Sequence, residues 1–186
     1  MLKAYMWRMK TQDILTPDSF YVGLRDLEQW AKQTEQPMDR AILHSLIAEF
    51  YANYAADNQW QLRQRTEIVG ETPSADIREW TANMFVEKVR TNVKEALADS
   101  LLLLKTSSLN YIPFVELGET SEYYHHDMYH LLASRAIRAL NQIERLERGS
   151  FNGITASPVK QDISNIYERM TDAYETAGLK EGYVLT

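Results

Sequence analysis

The sequence predicts an all-α protein of five to six antiparallel helices, arranged as a bundle or as a helical array of the tetratricopeptide kind. Three observations lead there. Apolar residues recur about every 3.6 positions along five separate segments, the spacing that gathers them on one side of a helix. No stretch sustains the two-residue alternation of a half-buried strand. Thr16-Pro17 and Ser157-Pro158 each pair a capping residue with proline at the first helical position, where the fixed φ suits a helix and the missing N–H is not needed.

In chain order, residues 2–13 form a first helix with Tyr5, Met6 and Met9 inward, and residues 17–34 a second with Phe20, Leu24, Leu27 and Ala31 on one stripe. Gly23 interrupts that stripe and suits a close helix crossing. The central helix runs over residues 37–57, opened by Pro37, with Ile42, Leu43, Leu46, Ile47, Phe50, Tyr51 and Tyr54 on a broad apolar face. Asp39, Arg40, Ser45, Glu49, Asn53 and Asp57 fall between these positions and mostly take the wet face. Residues 67–74, with Gly70 and Pro73, read as a loop. A long helical pattern covers 75–105, with Phe85, Val89, Val93, Leu97, Leu101 and Leu104 on one side. The run ADSLLLLK breaks from that axis, since four successive leucines cannot share one stripe.

Residues 106–122 are irregular, because Pro113 and Gly118 interrupt them and the residue before proline avoids helix. Leu109, Tyr111, Ile112, Phe114 and Val115 make this a loop packed onto the helices. A helix follows over 127–148, with Met128, Leu132, Ala136, Ala139, Leu140 and Ile143 inward. After a loop at 149–156, the last helix spans 158–177 on Ile163, Ile166, Tyr167, Met170 and Tyr174, with Gly178 as its C-cap. Leu46, Phe50, Val89, Val93, Leu132, Leu140 and Ile166 are expected to be buried together.

A chain of 186 residues with 45% hydrophobic and 25% charged content is the size and composition of a single globular domain. Its net charge of −6 argues against a nucleic-acid partner, whose phosphates call for a basic surface. The longest apolar run, Leu101 to Leu104, is far short of a membrane span. The start MLKAYMWRMKTQ lacks the apolar core and small-residue cleavage site of a signal peptide, so taken alone the chain reads as cytoplasmic. With no cysteine, disulfides, thiolate metal sites and cysteine nucleophiles drop out together. The sequence opens inside a helical pattern, and its last residues, LKEGYVLT, carry apolar side chains with no later element to cover them. The expectation is one helical domain over 1–186, cut from a larger multidomain protein.

Candidate chemistry is sparse. Glu122, His126 and His130 in EYYHHDMYH would lie on one face of a helix at i, i+4 and i+8, a spacing that can hold zinc. A metalloprotease motif would place glutamate directly after the first histidine, and here that position is Asp127. The alternative is a polar helix start, with Asp127 or its predecessors capping exposed amides. Arg63 and Arg65 could hold an anion beside Trp60, or, as paired arginines after a helix more often do, bridge to carboxylates or cover that helix's C-terminus. Phe50, Tyr51, Tyr54 and Trp60 could line a pocket, although such spacing more often serves a core. Glu144 and Glu147, interleaved with Arg145 and Arg148, read as a solvated face. There is no glycine-rich phosphate loop and no glycine-flanked serine nucleophile. An enzyme is disfavoured, and no catalytic, cofactor-binding or metal residue is assigned.

Residues 44–66, HSLIAEFYANYAADNQWQLRQRT, resemble part of the N-terminal helical region of the very large alpha-2-macroglobulin-family proteins of Bacteroides and relatives. Residues 109–117, LNYIPFVEL, resemble that region's short packed loop, and residues 127–137, DMYHLLASRAI, its Leu-Tyr-Asp-x-Leu-Ala-x-Arg-Ala-Leu helix. The likeness runs from about Leu15 and rests on helical packing positions. His130 stands where that helix usually has an acid after tyrosine, which counts against a family metal site. The family's β-sandwich strands are absent from this stretch, and a chain without cysteine cannot hold the Cys-Gly-x-Gln thioester. The resemblance implies a non-catalytic helical module of an exported, cell-envelope or surface protein. Its partners would be other domains of the parent chain and, if the parent is a protease trap, proteases.

Overall fold

The computed structural model describes residues 20–65, 74–112, 126–147 and 157–176. Among these residues are seven α-helices and no strand: α1 (Phe20–Gln33), α2 (Pro37–Asp57), α3 (Gln59–Gln64), α4 (Ala82–Ala96), α5 (Ser100–Lys105), α6 (Met128–Glu144) and α7 (Pro158–Thr176). Short 3-10 turns at Ile77–Glu79 and Ser108–Tyr111 precede α4 and follow α5. The fold is all-α, as its periodicity predicts. No described helix is long and apolar enough to cross a membrane.

Helix α2 is the axis of the bundle, with α1, α4 and α6 packed around it and α7 closing the far side against α6 and α4. Pro37 opens α2 after Gln36, and Asp39 in the first turn complements the positive end of the helix dipole. The helix stops at Asn58, whose side-chain amide donates to the Tyr54 carbonyl at 2.8 Å. Contacts along its length fix the direction of its neighbours. His44 meets Asn92 while Tyr54 stacks on Phe85, so α4 runs antiparallel to α2. Glu49 pairs with Arg135 and Asn53 with Gln142, so α6 runs parallel to it. Helix α7 reverses again, since His130 meets Tyr174 at one end and Glu144 meets Lys160 at the other.

Serving as the axis changes which residues of α2 are buried. Leu43, Leu46, Ile47 and Tyr51 are inside as expected, but so are Ala41, Ala48, Ala52, Ala55 and Ser45. Phe50 is only half-buried, which corrects its place in the expected core, and Ser45 moves from the wet face to the interior. The small residues let neighbouring helices approach a side that a two-faced pattern would leave in water. The other expected core residues, Val89, Val93, Leu132, Leu140 and Ile166, are all buried. Leu24, Leu27, Leu43, Ile47, Phe85, Leu103, Leu140 and Ile143 are each less than 2% exposed, and burying one such side chain contributes about 1.5–3 kcal/mol.

The long pattern over 75–105 resolves into three pieces. Trp80 and Thr81 are extended, so α4 begins only at Ala82, and the chain leaves the helix at Leu97. Asp99 then starts α5 by accepting the Leu102 amide at 3.1 Å. Within the leucine run, Leu103 faces the core and Leu104 packs against it as expected, while Leu101 is 68% exposed, which corrects its place on the expected stripe. Leu109 and Ile112 are 41% and 52% exposed, so of the described apolar residues in this loop only Tyr111 packs on the core. Tyr167 also faces solvent, which leaves Val159, Ile166, Met170 and Tyr174 as the buried side of α7. The expected helix at 2–13, the Phe20 side chain, Gly70, Pro73, Pro113, Phe114, Val115, Gly118, Arg148, the loop 149–156 and the tail from Gly178 lie outside the described residues and side chains.

Candidate functional site

The polar side chains inside the bundle form a seam where α1, α2 and α4 meet. Tyr51 on α2 donates from its hydroxyl to Glu28 Oε1 on α1 at 2.9 Å, and Lys88 Nζ on α4 approaches the same oxygen at 2.6 Å. Lys88 also lies over the Tyr51 ring, 5.5 Å from its centroid. The other side of that ring system is aromatic: Tyr51 stacks on Trp80 at 5.3 Å, and Phe85 sits edge-on at 6.2 Å. Burial first, and then the Glu28 carboxylate, push the Tyr51 phenol far above the usual tyrosine range. A phenol held protonated in this way is a hydrogen-bond donor, and neither a base nor a nucleophile. About two turns earlier on α2, His44 Nδ1 lies 2.8 Å from Asn92 Oδ1, and the Asn92 amide donates to the Lys88 carbonyl at 2.8 Å.

The histidine segment takes the capping role. Asp127 is the N-cap of α6, and its carboxylate accepts the His130 amide at 2.7 Å. His126 therefore precedes the helix, and its carbonyl accepts the Ser108 amide at 2.7 Å in an isolated antiparallel bridge between Ser107 and Asp127. The one-face spacing of His126 and His130 is thus not realised, because the helical period starts after His126. Glu122 lies outside the described residues. His130 instead turns its Nδ1 to the Tyr174 hydroxyl on α7 at 2.7 Å. No group of three metal-binding side chains comes together among the described residues. Next to His130, Tyr129 is buried with no hydrogen-bond partner for its hydroxyl among the described residues.

Arg63 and Arg65 are committed to backbone carbonyls. Arg63 Nη2 donates to the carbonyl of Arg145, the C-cap of α6, at 3.1 Å, and Arg65 Nη1 to that of Trp80 at 2.6 Å. Arg63 thus covers a helix C-terminus, but that of α6 and not of the helix it follows, and Arg65 holds the extended entry to α4. Trp60 is 72% exposed and does not share the environment of Tyr51, so the four aromatic residues do not line one pocket.

Between α4 and α7 lies a half-open cleft of about 230 Å³. Val93, Leu97 and Ile166 line it with buried apolar surface, and Lys94, Asp162 and Arg169 rim it. Asp162 accepts Arg90 Nε at 2.6 Å, with Lys94 Nζ more distant at 3.9 Å. Arg90 also reaches Glu87 at 2.7 Å, and its side chain is only 16% exposed.

No protein-family model, curated protein or solved structure matches this chain.

Two arrangements were not legible in the sequence. Glu147, expected on a solvated face, is half-buried and holds the start of α7, accepting from the Val159 amide at 3.2 Å and from the Ser157 hydroxyl. Ser157 caps the same helix by accepting the Lys160 amide at 3.1 Å, as its place before Pro158 suggests. The α4–α7 cleft also escaped, because Asp162, Asn165 and Arg169 fall at positions that a helical wheel assigns to solvent. The only sequence signal was their common i, i+3, i+7 spacing, which any exposed helix face supplies.

Proposed function

We propose that this chain is a non-catalytic helical scaffold and protein-interaction module, of the kind its resemblance suggests for the N-terminal helical region of large alpha-2-macroglobulin-like proteins. One observation carries this reading: the polar side chains at the helix interfaces join one helix to another. Tyr51 and Lys88 converge on Glu28, His44 on Asn92, Arg135 on Glu49, and Arg90 on Asp162. Ties of this kind hold the relative positions of helices that apolar packing alone would leave freer to slide. A rigid body with fixed surfaces is what a spacer or docking module needs. On this reading the immediate partners are neighbouring domains of the parent chain, and the parent works at the cell envelope as a protease trap or surface scaffold.

The test is the complete open reading frame and its product. A signal peptide upstream, β-rich macroglobulin repeats downstream and recovery of the product in the envelope fraction are the expected results. A frame without those repeats, whose product is recovered with the cytoplasmic proteins, overturns the reading.

A further inference from the structure

We propose that the α4–α7 cleft binds a small monocarboxylate carrying one branched or aromatic apolar group, with Arg169 and Lys94 holding the carboxylate. The floor supplies the apolar half of this recognition. Val93, Leu97 and Ile166, only 3%, 5% and 6% exposed, line the cleft. A volume of about 230 Å³ falls below the roughly 300–1,000 Å³ of sites for drug-sized ligands. It therefore suits a single leucine-like or phenyl group and excludes a long chain.

The rim supplies the charge. Asp162 would repel a carboxylate, but Arg90 already pairs with it at 2.6 Å from a position well shielded from water, and its other contact, Glu87, is mostly exposed. Lys94 stands 3.9 Å from Asp162 with a side chain that is 62% exposed, so it is free to swing to a second anion. Arg169 makes no hydrogen bond or ion pair to another described residue. Two cations thus face one spent acid, in a protein whose net charge is −6. A planar guanidinium beside an apolar floor matches a carboxylate on an apolar body, since the fork accepts both oxygens while the body displaces water. The same chemistry is carried by a free branched-chain acid and by the C-terminal residue of a peptide.

The experiment is a methyl NMR titration of the full chain with N-acetyl-leucine, N-acetyl-leucinamide and 4-methylpentanoate. Saturable shifts at Val93, Leu97 and Ile166 are expected with N-acetyl-leucine, and binding at least tenfold weaker with the uncharged amide. Arg169 is exposed, so Arg169→Gln should leave the other resonances in place and weaken the acid at least tenfold; Lys94→Gln provides a second, milder loss. Tighter binding of 4-methylpentanoate points to a free acid, and tighter binding of N-acetyl-leucine to a peptide end; both support the shared chemistry. No saturable shift at concentrations on the order of 10 mM, equal binding of acid and amide, or an unaffected Arg169→Gln protein overturns the proposal. The scaffold reading rests on the ties between helices and is decided separately by the reading frame.

Discussion

Asn92 sets the tautomer of His44. The Asn92 amide nitrogen donates to the Lys88 carbonyl at 2.8 Å, which turns its oxygen toward His44 Nδ1, also at 2.8 Å. An oxygen can only accept, so Nδ1 carries the hydrogen and Nε2 is left with its lone pair. Nitrogen NMR of the neutral imidazole should therefore report a protonated Nδ1, and Asn92→Ala should release that preference. Because Asn92 is only 6% exposed, the same change should cost about 1–3 kcal/mol in denaturant melts. A loss below 0.5 kcal/mol, or a predominantly Nε2-protonated ring, would contradict this tie between α2 and α4.

The buried tyrosines make the fold sensitive to alkali. Burial raises the phenols of Tyr51 and Tyr174 well above the ordinary tyrosine value. Each keeps its proton in the folded state at a pH where the unfolded chain has begun to lose it. Their contribution is complete below about pH 10 and falls as pH rises toward the folded values. Stability should drop progressively above that pH, and Tyr51→Phe should flatten the drop. At neutral pH the substitution should cost about 0.5–1.5 kcal/mol for the lost bond to Glu28, which keeps its contact with Lys88. An unchanged alkaline slope in Tyr51→Phe would remove Tyr51 as a cause.

Tyr129 makes the opposite prediction. Its hydroxyl is buried without a hydrogen-bond partner among the described residues, and burial raises its phenol as well. An unmet buried hydroxyl costs about 1–3 kcal/mol, so Tyr129→Phe should leave the melting temperature unchanged or raise it. A clear fall in stability would mean that the hydroxyl has a partner.

The helices were legible wherever one face alone carries the apolar residues, as on α6, whose expected inward set is buried residue for residue. Helix α2 was half legible. Its large apolar residues announce a helix, but Ala41, Ser45, Ala48, Ala52 and Ala55 carry too little apolar signal to show that other helices close on that side. Extended Trp80 was hidden inside a helical pattern because its fixing contacts come from afar: Tyr51 stacks on its ring, Arg65 holds its carbonyl, and its indole N–H donates to the Ser74 carbonyl at 2.7 Å. Site chemistry was less legible still. Nothing near Glu147 in sequence says that its carboxylate serves the start of another helix.

The capping role of Asp127 bears on the metal alternative. Asp127→Ala should destabilise the protein by about 0.5–2 kcal/mol, and Asp127→Asn by much less, because an amide oxygen can still accept the His130 N–H. Calorimetric titration with zinc at neutral pH should show no stoichiometric site of sub-micromolar affinity. Such a site, lost in His126→Ala, would restore the cluster of Glu122, His126 and His130 as a ligand set.

The position of α2 as the axis of the bundle is most directly tested by native-state hydrogen exchange. Its central amides, from Leu43 through Ile47 and Tyr51 to Ala55, lie on a helix enclosed by α1, α4 and α6. They should exchange only through global unfolding, with free energies equal to the stability measured in denaturant, and Leu43→Ala should lower both by the same 2–5 kcal/mol or so. Exchange from α2 at a lower free energy than from α4 and α6 would contradict the arrangement.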